Sequence, residues 1–248
     1  MPGSPKRRGD IADLAGSTGV GAWAGFGVLW MAVAGRAGGP LSIDERLLSW
    51  SVGHRPPFAV ALARGLTATG TGVTPYALVV VAGLIAGRTL RHRLVCAALA
   101  VGVLAAGQAV RYGLMTWADR QRPPRVDWQT HASGWSFPSG HSTTAALTAG
   151  VLVIALLLRA PRGRTPLVVA VGCWGALVGL TRVYLGVHWL TDVVGGWLLS
   201  AGWLGLCLYM AARWLPDPLV AGVTPRPARS SEEHAPQDPD RGGRSRAA

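Results

Sequence analysis

The sequence is poor in charged residues, in lysine and in cysteine. Only 15% of its 248 residues are charged, whereas soluble domains carry roughly a quarter. Half of the residues are hydrophobic and the mean hydropathy is +0.31, which indicates a domain that sits in a bilayer. The single lysine, Lys6, leaves almost every cationic role to arginine. The three cysteines, Cys96, Cys173 and Cys207, lie inside apolar segments, and their spacing is typical of neither a metal knuckle nor a disulfide framework.

Acidic residues are also scarce, and the formal net charge is +12. A basic excess of this size can indicate nucleic-acid binding when the basic residues form one soluble face. Here many of the arginines flank apolar segments, as membrane topology requires. We therefore expect no nucleic-acid partner and a lipid bilayer as the surroundings.

Apolar segments of membrane length recur along the chain. The first, at 20–34, ends in Ala32-Val33-Ala34, which resembles a signal-peptide cleavage site, but a retained helix is favoured because the polar leader is long and carries acids. An amphipathic stretch at 41–56 is expected to lie on the membrane surface. The remaining segments are 58–87, 94–117, 141–158, 165–185 and 189–213. The pattern predicts an all-α integral membrane bundle of about six transmembrane helices.

One of these segments, 58–87, is interrupted by Thr69-Gly70-Thr71-Gly72. Its membrane part is therefore expected in the later half, from about Val73 to Gly87. The chain as a whole is expected to comprise a polar leader at 1–18, a transmembrane domain at 19–215 and a disordered tail at 216–248, which has no apolar periodicity.

The loop charges predict the orientation of the bundle. Basic clusters occur at 6–8, 88–93 and 159–164, and the positive-inside rule places such loops in the cytoplasm. Both termini are then cytoplasmic, and the alternate loops face the opposite side. We expect a multi-pass protein of a bacterial plasma membrane, with its functional residues outside the cytoplasm.

Polar residues that carry chemistry gather in these alternate loops. His188 and Asp192 are four residues apart at the start of a helix, so they share one face. A carboxylate in this position can accept the Nδ1 proton of the imidazole and leave Nε2 free as a nucleophile. An acid in the first turn of a membrane helix is costly and usually marks a site, although a histidine at the interface with a polar neighbour is the plainer alternative.

A second group, Pro138-Ser139-Gly140-His141, opens an apolar segment. Proline suits a helix start, glycine allows close approach, and the first-turn N–H groups with the helix dipole favour an anion. Ser139 adds a hydroxyl donor, and His141 could protonate a leaving oxygen. A capped helix with an incidental histidine is the alternative.

Arginines beside these groups offer planar guanidinium forks for phosphate oxygens. Arg122 and Arg182 are the candidates, with anchoring to lipid headgroups as the alternative. Arg120 and Arg125 are assigned to headgroups or to loop structure.

Taken together, the blocks resemble the three-part signature of the type-2 phosphatidate phosphatases, the membrane relatives of the vanadium haloperoxidases. That signature is Lys-x6-Arg-Pro, then Pro-Ser-Gly-His, then Ser-Arg-x5-His-x3-Asp. This chain matches it with Arg122-Pro123, with the intact 138–141 block, and with Thr181-Arg182 followed by His188 and Asp192. Thr181 replaces the serine, and Met115 stands at the lysine position. The signature region, 115–192, covers about a third of the chain.

The resemblance implies a membrane lipid phosphatase that works through a phosphohistidine intermediate. His188 would be the nucleophile, Asp192 its orienting carboxylate and His141 the acid. Arg122, Ser139, Gly140 and Arg182 would bind phosphate, and neither a metal nor another cofactor is expected. Phosphatidic acid and undecaprenyl diphosphate are the leading substrates. Phosphatidylglycerophosphate is less well placed if its head group faces the cytoplasm.

Met115 is the residue that differs from the signature lysine, and a thioether cannot pair with phosphate. Whether the protein is an active or an impaired phosphatase therefore depends on this position. Arg111 lies one helical turn earlier on the same face, and we expect it to replace the missing lysine. A catalytically impaired relative that binds lipid phosphates or a membrane partner is the alternative. Halide oxidation is disfavoured by the apolar segments, although vanadate should inhibit as a transition-state mimic.

Overall fold

The computed structural model describes residues 5–159 and 163–215, and over these ranges the chain forms eight α-helices, one short 3-10 helix and no strand. The predicted tail from 216 onward and the first four residues of the predicted leader lie outside the described residues. The helices are α1 Pro5–Ala34, α2 Ser42–Gly53, α3 Pro57–Ala68, α4 Val73–Ala86, α5 Leu90–Ala118, α6 Gly140–Arg159, α7 Thr165–Tyr184 and α8 Leu190–Trp214, and the 3-10 helix is Arg125–Asp127.

Five of these helices are long and apolar enough to cross a membrane, namely α1 (over Arg8–Ala34), α5, α6, α7 and α8. A sixth span is formed if α3 and α4, which are bent by 53° at their junction, are counted together. The all-α membrane bundle predicted from the sequence is therefore confirmed. The predicted break at 69–72 is also present.

The membrane part of the bent span was expected in the later half, from about Val73 to Gly87, and this stays a prediction. The earlier half, α3, packs against α7. The Nε1 of Trp174 on α7 donates to the Thr69 hydroxyl at the bend, at 2.9 Å. This hydrogen bond connects the bend between α3 and α4 to α7.

The helices alternate in direction, so the bundle has two distinct ends. At one end Arg8 donates to the carbonyls of Ala212 and Leu215, and Arg159 donates to that of Ala86. We call this the arginine end. The opposite end, which we call the site end, holds the last turns of α1, α5 and α7 and the first turns of α6 and α8. All three signature blocks therefore meet at the site end.

Small residues let the helices approach closely between the two ends. A Cβ added at Gly205 of α8 would lie 2.6 Å from the Cα of Gly19 on α1, and a Cβ at Gly83 of α4 would overlap the backbone of Ala97 on α5. Since lipid chains are as apolar as leucine, such close backbone packing is a main source of helix association in membranes. These contacts hold α1 on α8 and α4 on α5.

An aromatic cluster fixes the loop that leads into α6. Phe137 is fully buried, and its ring lies 5.6 Å from that of Phe26 and 5.7 Å from that of Trp30. A Cβ at Gly195 of α8 would lie 2.5 Å from the Phe137 ring. The start of α6 is therefore anchored between α1 and α8, beside the beginning of α8.

The short helix α2 lies at the site end, as a stretch lying on the membrane surface would. Its apolar Ile43, Trp50 and Val52 are exposed, whereas Asp44 and Ser51 are buried against the protein. The sequence predicted an amphipathic helix here but gave no reason to expect a buried acid.

Candidate active site

His188 and Asp192 form the pair that the sequence predicted. His188 lies in the turn between α7 and α8 and is 3% exposed, and Asp192 is fully buried in the first turn of α8. The Nδ1 of His188 is 3.2 Å from Oδ2 of Asp192. The Nε2 is 2.8 Å from Nη1 of Arg122. Because an arginine can only donate, this arrangement fits the tautomer with the proton on Nδ1 and a lone pair on Nε2.

The surroundings keep the His188 imidazole neutral. Burial, together with the charges of Arg122 and Arg182, lowers its pKa to about 4, although the hydrogen bond and the charge of Asp192 oppose the shift. A neutral imidazole with an oriented Nε2 is the form that attacks an electrophile.

Arg122 is held more rigidly than its predicted role requires. Its side chain donates through Nε and Nη2 to three backbone carbonyls and through Nη1 to a fourth and to Nε2 of His188. The accepting carbonyls are those of Ser133, Gly134, Trp135 and Val187. All five of its N–H groups therefore have partners, and only the one aimed at His188 faces a reacting group. Arg122 is thus a fixed single donor at the nucleophile rather than a free fork.

Arg182 has the opposite character. It is 2% exposed in the last turn of α7, where the helix dipole favours a cation. Its Nη1 donates to the hydroxyl of Thr67 on α3 at 3.2 Å. Its Nε is buried and has no hydrogen-bond partner among the residues that the structure describes. A buried guanidinium with donors to spare suits an anionic ligand.

The start of α6 brings the second block beside the pair. The backbone N–H of Ser139 donates to the carbonyl of Asp192 at 3.0 Å, and the hydroxyl of Ser142 donates to that of Ser139 at 2.9 Å. Ser139 is fully buried, and its own O–H remains as a donor. His141, half-buried, lies in the electrostatic field of His188 and of three arginines, Arg111, Arg122 and Arg182. The two histidines therefore share one cationic site.

Arg111 also reaches this site. A Cβ added at Gly140 would lie 3.4 Å from the guanidinium carbon of Arg111. Its Nη1 donates to the sulfur of Met115 at 3.0 Å. The Nε is 3.4 Å from Oε1 of Gln108, whose amide in turn donates to the hydroxyl of Thr144 on α6. Arg111 therefore lies beside the first turn of α6. It also contacts Met115, the residue that stands where the signature has a lysine.

Arg120 departs from the sequence expectation. It was assigned to headgroups or to loop structure, but it is fully buried, so the headgroup assignment is wrong. Its Nη1 lies 2.6 Å from Oδ1 of Asp192, and its Nη2 lies 2.9 Å from Oδ2 of Asp44. The acid that draws it inward is 76 residues earlier in the chain, which local patterns do not reveal. Arg125 is exposed and lies over the ring of Trp128, as expected of loop structure.

Sequence reasoning also missed three polar residues that support the pair. The hydroxyl of Ser136 donates to Oδ2 of Asp192. Asp44 accepts from both the backbone N–H and the hydroxyl of Thr191. No local signal marked these residues, because Asp44 is followed directly by the charged Glu45 and Arg46 in a stretch expected to lie at the membrane surface.

The chain is similar to known membrane phosphatases. A family model described as the PAP2 superfamily matches residues 47–216. Phosphatidylglycerophosphatase B of Bacillus subtilis (strain 168) is 32% identical over 162 residues, which are 64% of this chain and 78% of that protein. Phosphatidylglycerophosphatase B of Escherichia coli (strain K12) is 36% identical over 114 residues, 46% of this chain and 41% of that protein. Undecaprenyl-diphosphatase of Sulfolobus acidocaldarius is 40% identical over 67 residues, 27% of this chain and 29% of that protein.

A solved structure has the same fold. The crystal structure of a transmembrane PAP2 type phosphatidylglycerolphosphate phosphatase from Bacillus subtilis superposes with a TM-score of 0.66 and 29% identity, covering 77% of this chain and 94% of that one. The family match spans more than half of the chain. Motifs, fold and relatives agree, and the protein therefore belongs to the PAP2 superfamily, as a membrane phosphatase that hydrolyses phosphoric monoesters or diphosphates.

Proposed function

We propose that this membrane phosphatase hydrolyses lipid phosphates through a covalent phosphohistidine at His188. The observation that carries the proposal is the arrangement of its imidazole. Nδ1 is held by Asp192, and Nε2 is turned toward Arg122. A second histidine and further arginines share the same site. This is the set of groups that a two-step phosphoryl transfer needs.

In the first step the phosphate would be held by the groups that surround Nε2 of His188. The available donors are Arg182 and the O–H of Ser139, together with the first-turn N–H groups of α6. The Nη1 group of Arg122 that points at Nε2 would turn to a phosphate oxygen and so free the lone pair of Nε2. Nε2 attacks phosphorus as the bond from phosphorus to the lipid oxygen breaks. His141 gives its proton to that leaving oxygen. A bound phosphate dianion favours the protonated form of His141 that this step uses.

In the second step water attacks the phosphohistidine. A new P–O bond forms, the P–N bond to His188 breaks, and the water proton passes to the neutral His141 left by the first step. Asp192 stabilises the cationic imidazole that exists between the steps and returns it to the starting tautomer. Both steps place growing charge beside arginines and backbone dipoles, and we propose that these groups supply the electrostatic stabilisation without a metal ion.

We further propose that Arg111 takes the place of the lysine that the signature has at position 115. A lysine side chain would offer one ammonium group at this position, and the guanidinium of Arg111 offers a charge of the same sign from one turn earlier. Its closeness to Gly140 supports this role. The sulfur of Met115 orients the guanidinium instead of competing with it for phosphate.

The proposed substrates are lipid phosphate monoesters and diphosphates. The sequence favoured phosphatidic acid and undecaprenyl diphosphate, and two relatives named phosphatidylglycerophosphatase B raise phosphatidylglycerophosphate to equal standing. The site end lies opposite the arginine end, where Arg88, Arg91, Arg93 and Arg159 cluster. By the positive-inside rule we propose that the site faces away from the cytoplasm.

The test is phosphate release by detergent-purified protein in the presence of EDTA, with these three lipids as separate substrates. Wild type should release phosphate from at least one of them, and His188→Ala should lose about 10⁴-fold or more of kcat. His131→Ala, at an exposed loop position, is the matched control and should keep full activity. Loss of wild-type activity on adding EDTA, or activity that survives in His188→Ala, would refute the mechanism.

The impaired-relative reading makes a different prediction for the same assay. Its support is Met115, and it requires binding of lipid phosphate without release by wild type. Release from none of the three lipids, together with vanadate or phosphate binding at the site, would favour it over the phosphatase.

A further inference from the structure

We propose that Arg120 and Asp44 act as a positioning pair that holds Asp192 in place and adjusts the charge that His188 experiences. The proposal rests on the proposed role of His188 as nucleophile. Neither residue touches the reacting atoms, and Asp44 comes from α2, outside the signature blocks.

Asp192 is the acceptor of four hydrogen-bond donors, of which His188 is only one. Its Oδ1 accepts from Arg120 at 2.6 Å. Its Oδ2 accepts from the backbone N–H of Trp189 at 2.8 Å, from the hydroxyl of Ser136, and from Nδ1 of His188 at 3.2 Å. The bond to Arg120 is the only one made to Oδ1 among the described residues. It therefore fixes Oδ1 and, together with the three donors to Oδ2, the rotation of the carboxylate that faces the imidazole.

Arg120 is itself fixed from the other side. Its Nη2 is 2.9 Å from Asp44, and its Nε and Nη2 also donate to the carbonyls of Gly38 and Gly39, each at 3.2 Å. Both members of the Arg120–Asp44 ion pair have fully buried side chains. Charges in such a place are costly unless every lone pair and proton has a partner, and the carbonyls at 38 and 39 supply the missing ones.

Asp44 links this pair to the helix that carries Asp192. Its Oδ1 accepts from the backbone N–H of Thr191 at 2.9 Å, and its Oδ2 accepts from the Thr191 hydroxyl at 2.7 Å. The Thr191 hydroxyl in turn accepts from Nη1 of Arg120 at 2.7 Å. An acid on α2 thus satisfies a free N–H in the first turn of α8, where the helix dipole favours negative charge. The pair and the start of α8 form one closed network.

The charges around His188 predict opposite effects on its protonation when Asp44 or Arg120 loses its charge. His188 is faced by Asp192 from α8, Arg182 from α7, His141 from α6 and Arg122 from the loop between α5 and α6, and Arg111 from α5 faces His141. Behind Asp192 stand one cation, Arg120, and one anion, Asp44. Removing Asp44 leaves the cation uncompensated, which disfavours the imidazolium of His188. Removing the charge of Arg120 favours the imidazolium.

The test compares Asp44→Asn, Arg120→Gln and the control Glu45→Gln, which changes the neighbouring but exposed acid of α2. The titration of His188 is followed by NMR of protein labelled with ¹³C-histidine, and its signal is assigned by its absence from His188→Ala. We expect the midpoint to move to lower pH in Asp44→Asn, to higher pH in Arg120→Gln and not at all in Glu45→Gln. Each of the two network variants should also lose about 10- to 100-fold in kcat, the effect that losing the hydrogen-bond partner of a functional histidine or carboxylate has at metal sites.

Each shift tests the proposal by itself, so a network variant that does not fold leaves the other to decide. Equal midpoints in wild type and a folded network variant, or lower kcat without the predicted direction of shift, would leave only a structural role and overturn the proposal. The NMR titration needs no turnover. A wild type without phosphatase activity would therefore count against the proposed function, while the sign of the midpoint shifts would still decide whether Asp44 and Arg120 act on His188.

Discussion

The site end and the arginine end of the bundle differ in the kinds of side chain that they bury. At the site end, buried side chains carry charge or can acquire it, namely Asp44, Arg120, Arg182, His188 and Asp192. Toward the arginine end, the buried clusters consist of Val79, Ala82, Ala100, Leu104, Leu147, Leu152 and Ala155. Buried ion pairs add little net stability compared with well-packed apolar residues. We therefore propose that the site end, the charged half, serves the chemistry, while the arginine end, the apolar half, holds the helices together with the aromatic cluster around Phe137.

The largest effect on activity is expected when one atom of a residue in the charged half is changed. Asp192→Asn keeps the shape of the side chain but presents an amide to His188, which can favour the wrong tautomer. We expect kcat for phosphate release to fall by about 10³- to 10⁴-fold, as removing the orienting carboxylate of a histidine does elsewhere. The control is Asp119→Asn, an exposed acid at the end of α5, which should behave as wild type. A loss of less than tenfold in kcat for Asp192→Asn would contradict a catalytic role for the charged half.

A second test concerns the arginine that stands in for the signature lysine. Arg111→Met removes the charge, and we expect kcat/KM to fall by about 10- to 100-fold through the loss of a charge-assisted phosphate contact. Arg111→Lys should keep more of the activity than Arg111→Met, because the cation remains. The measurement is kcat/KM for phosphate release in both variants. Unchanged turnover in Arg111→Met would show that Arg111 does not replace the signature lysine. It would also favour the hypothesis of an impaired relative.

The pH dependence of activity provides a third test of the charged half. The lowered pKa of His188, about 4, means that its imidazole stays neutral as the pH falls through the usual histidine range. The kcat/KM profile should therefore keep its enzyme-derived acid limb near pH 4, with activity lost only below it, after the titration of the substrate has been measured separately. An enzyme-derived limb near 6.5, the value for an unperturbed histidine, would show that His188 is not buried among cations as described.

The smallest effect on activity is expected from the apolar half. Gly83→Ala places a methyl group against the backbone of Ala97 and must push α4 from α5, at a cost of about 1–3 kcal/mol of stability. The thermal midpoint in detergent should fall while kcat of the folded enzyme stays within about twofold. Gly102→Ala, on α5 with open space around it, is the matched control and should not lower the midpoint. A large loss of kcat at an unchanged thermal midpoint would show that the apolar half contributes to activity as well as to stability.

The sequence predicted the helical bundle because apolar length is a property of contiguous residues. It also brought His188, Asp192, His141 and Arg182 into one site, because each of them belongs to a contiguous block with a recognisable spacing. Residues of this kind can be read without knowing which helices are neighbours.

The parts that escaped the sequence analysis depend on contacts between distant segments. Asp44 and Arg120 meet across 76 residues, and Thr67 reaches Arg182 across 115. Neither pair has a local pattern. The rigid role of Arg122 was also missed, because its acceptors are backbone carbonyls of a loop whose path the sequence does not specify.

The central claim is the covalent intermediate on His188, and oxygen exchange tests it most directly without knowledge of the physiological lipid. Inorganic phosphate labelled with ¹⁸O is incubated with the enzyme in ordinary water and without lipid, at concentrations that inhibit lipid hydrolysis competitively. Formation and hydrolysis of a phosphohistidine would replace ¹⁸O with solvent oxygen, and mass spectrometry of the phosphate measures the loss. We predict exchange by wild type and none by His188→Ala. The absence of exchange by wild type at saturating phosphate, or equal exchange by His188→Ala, would contradict the account.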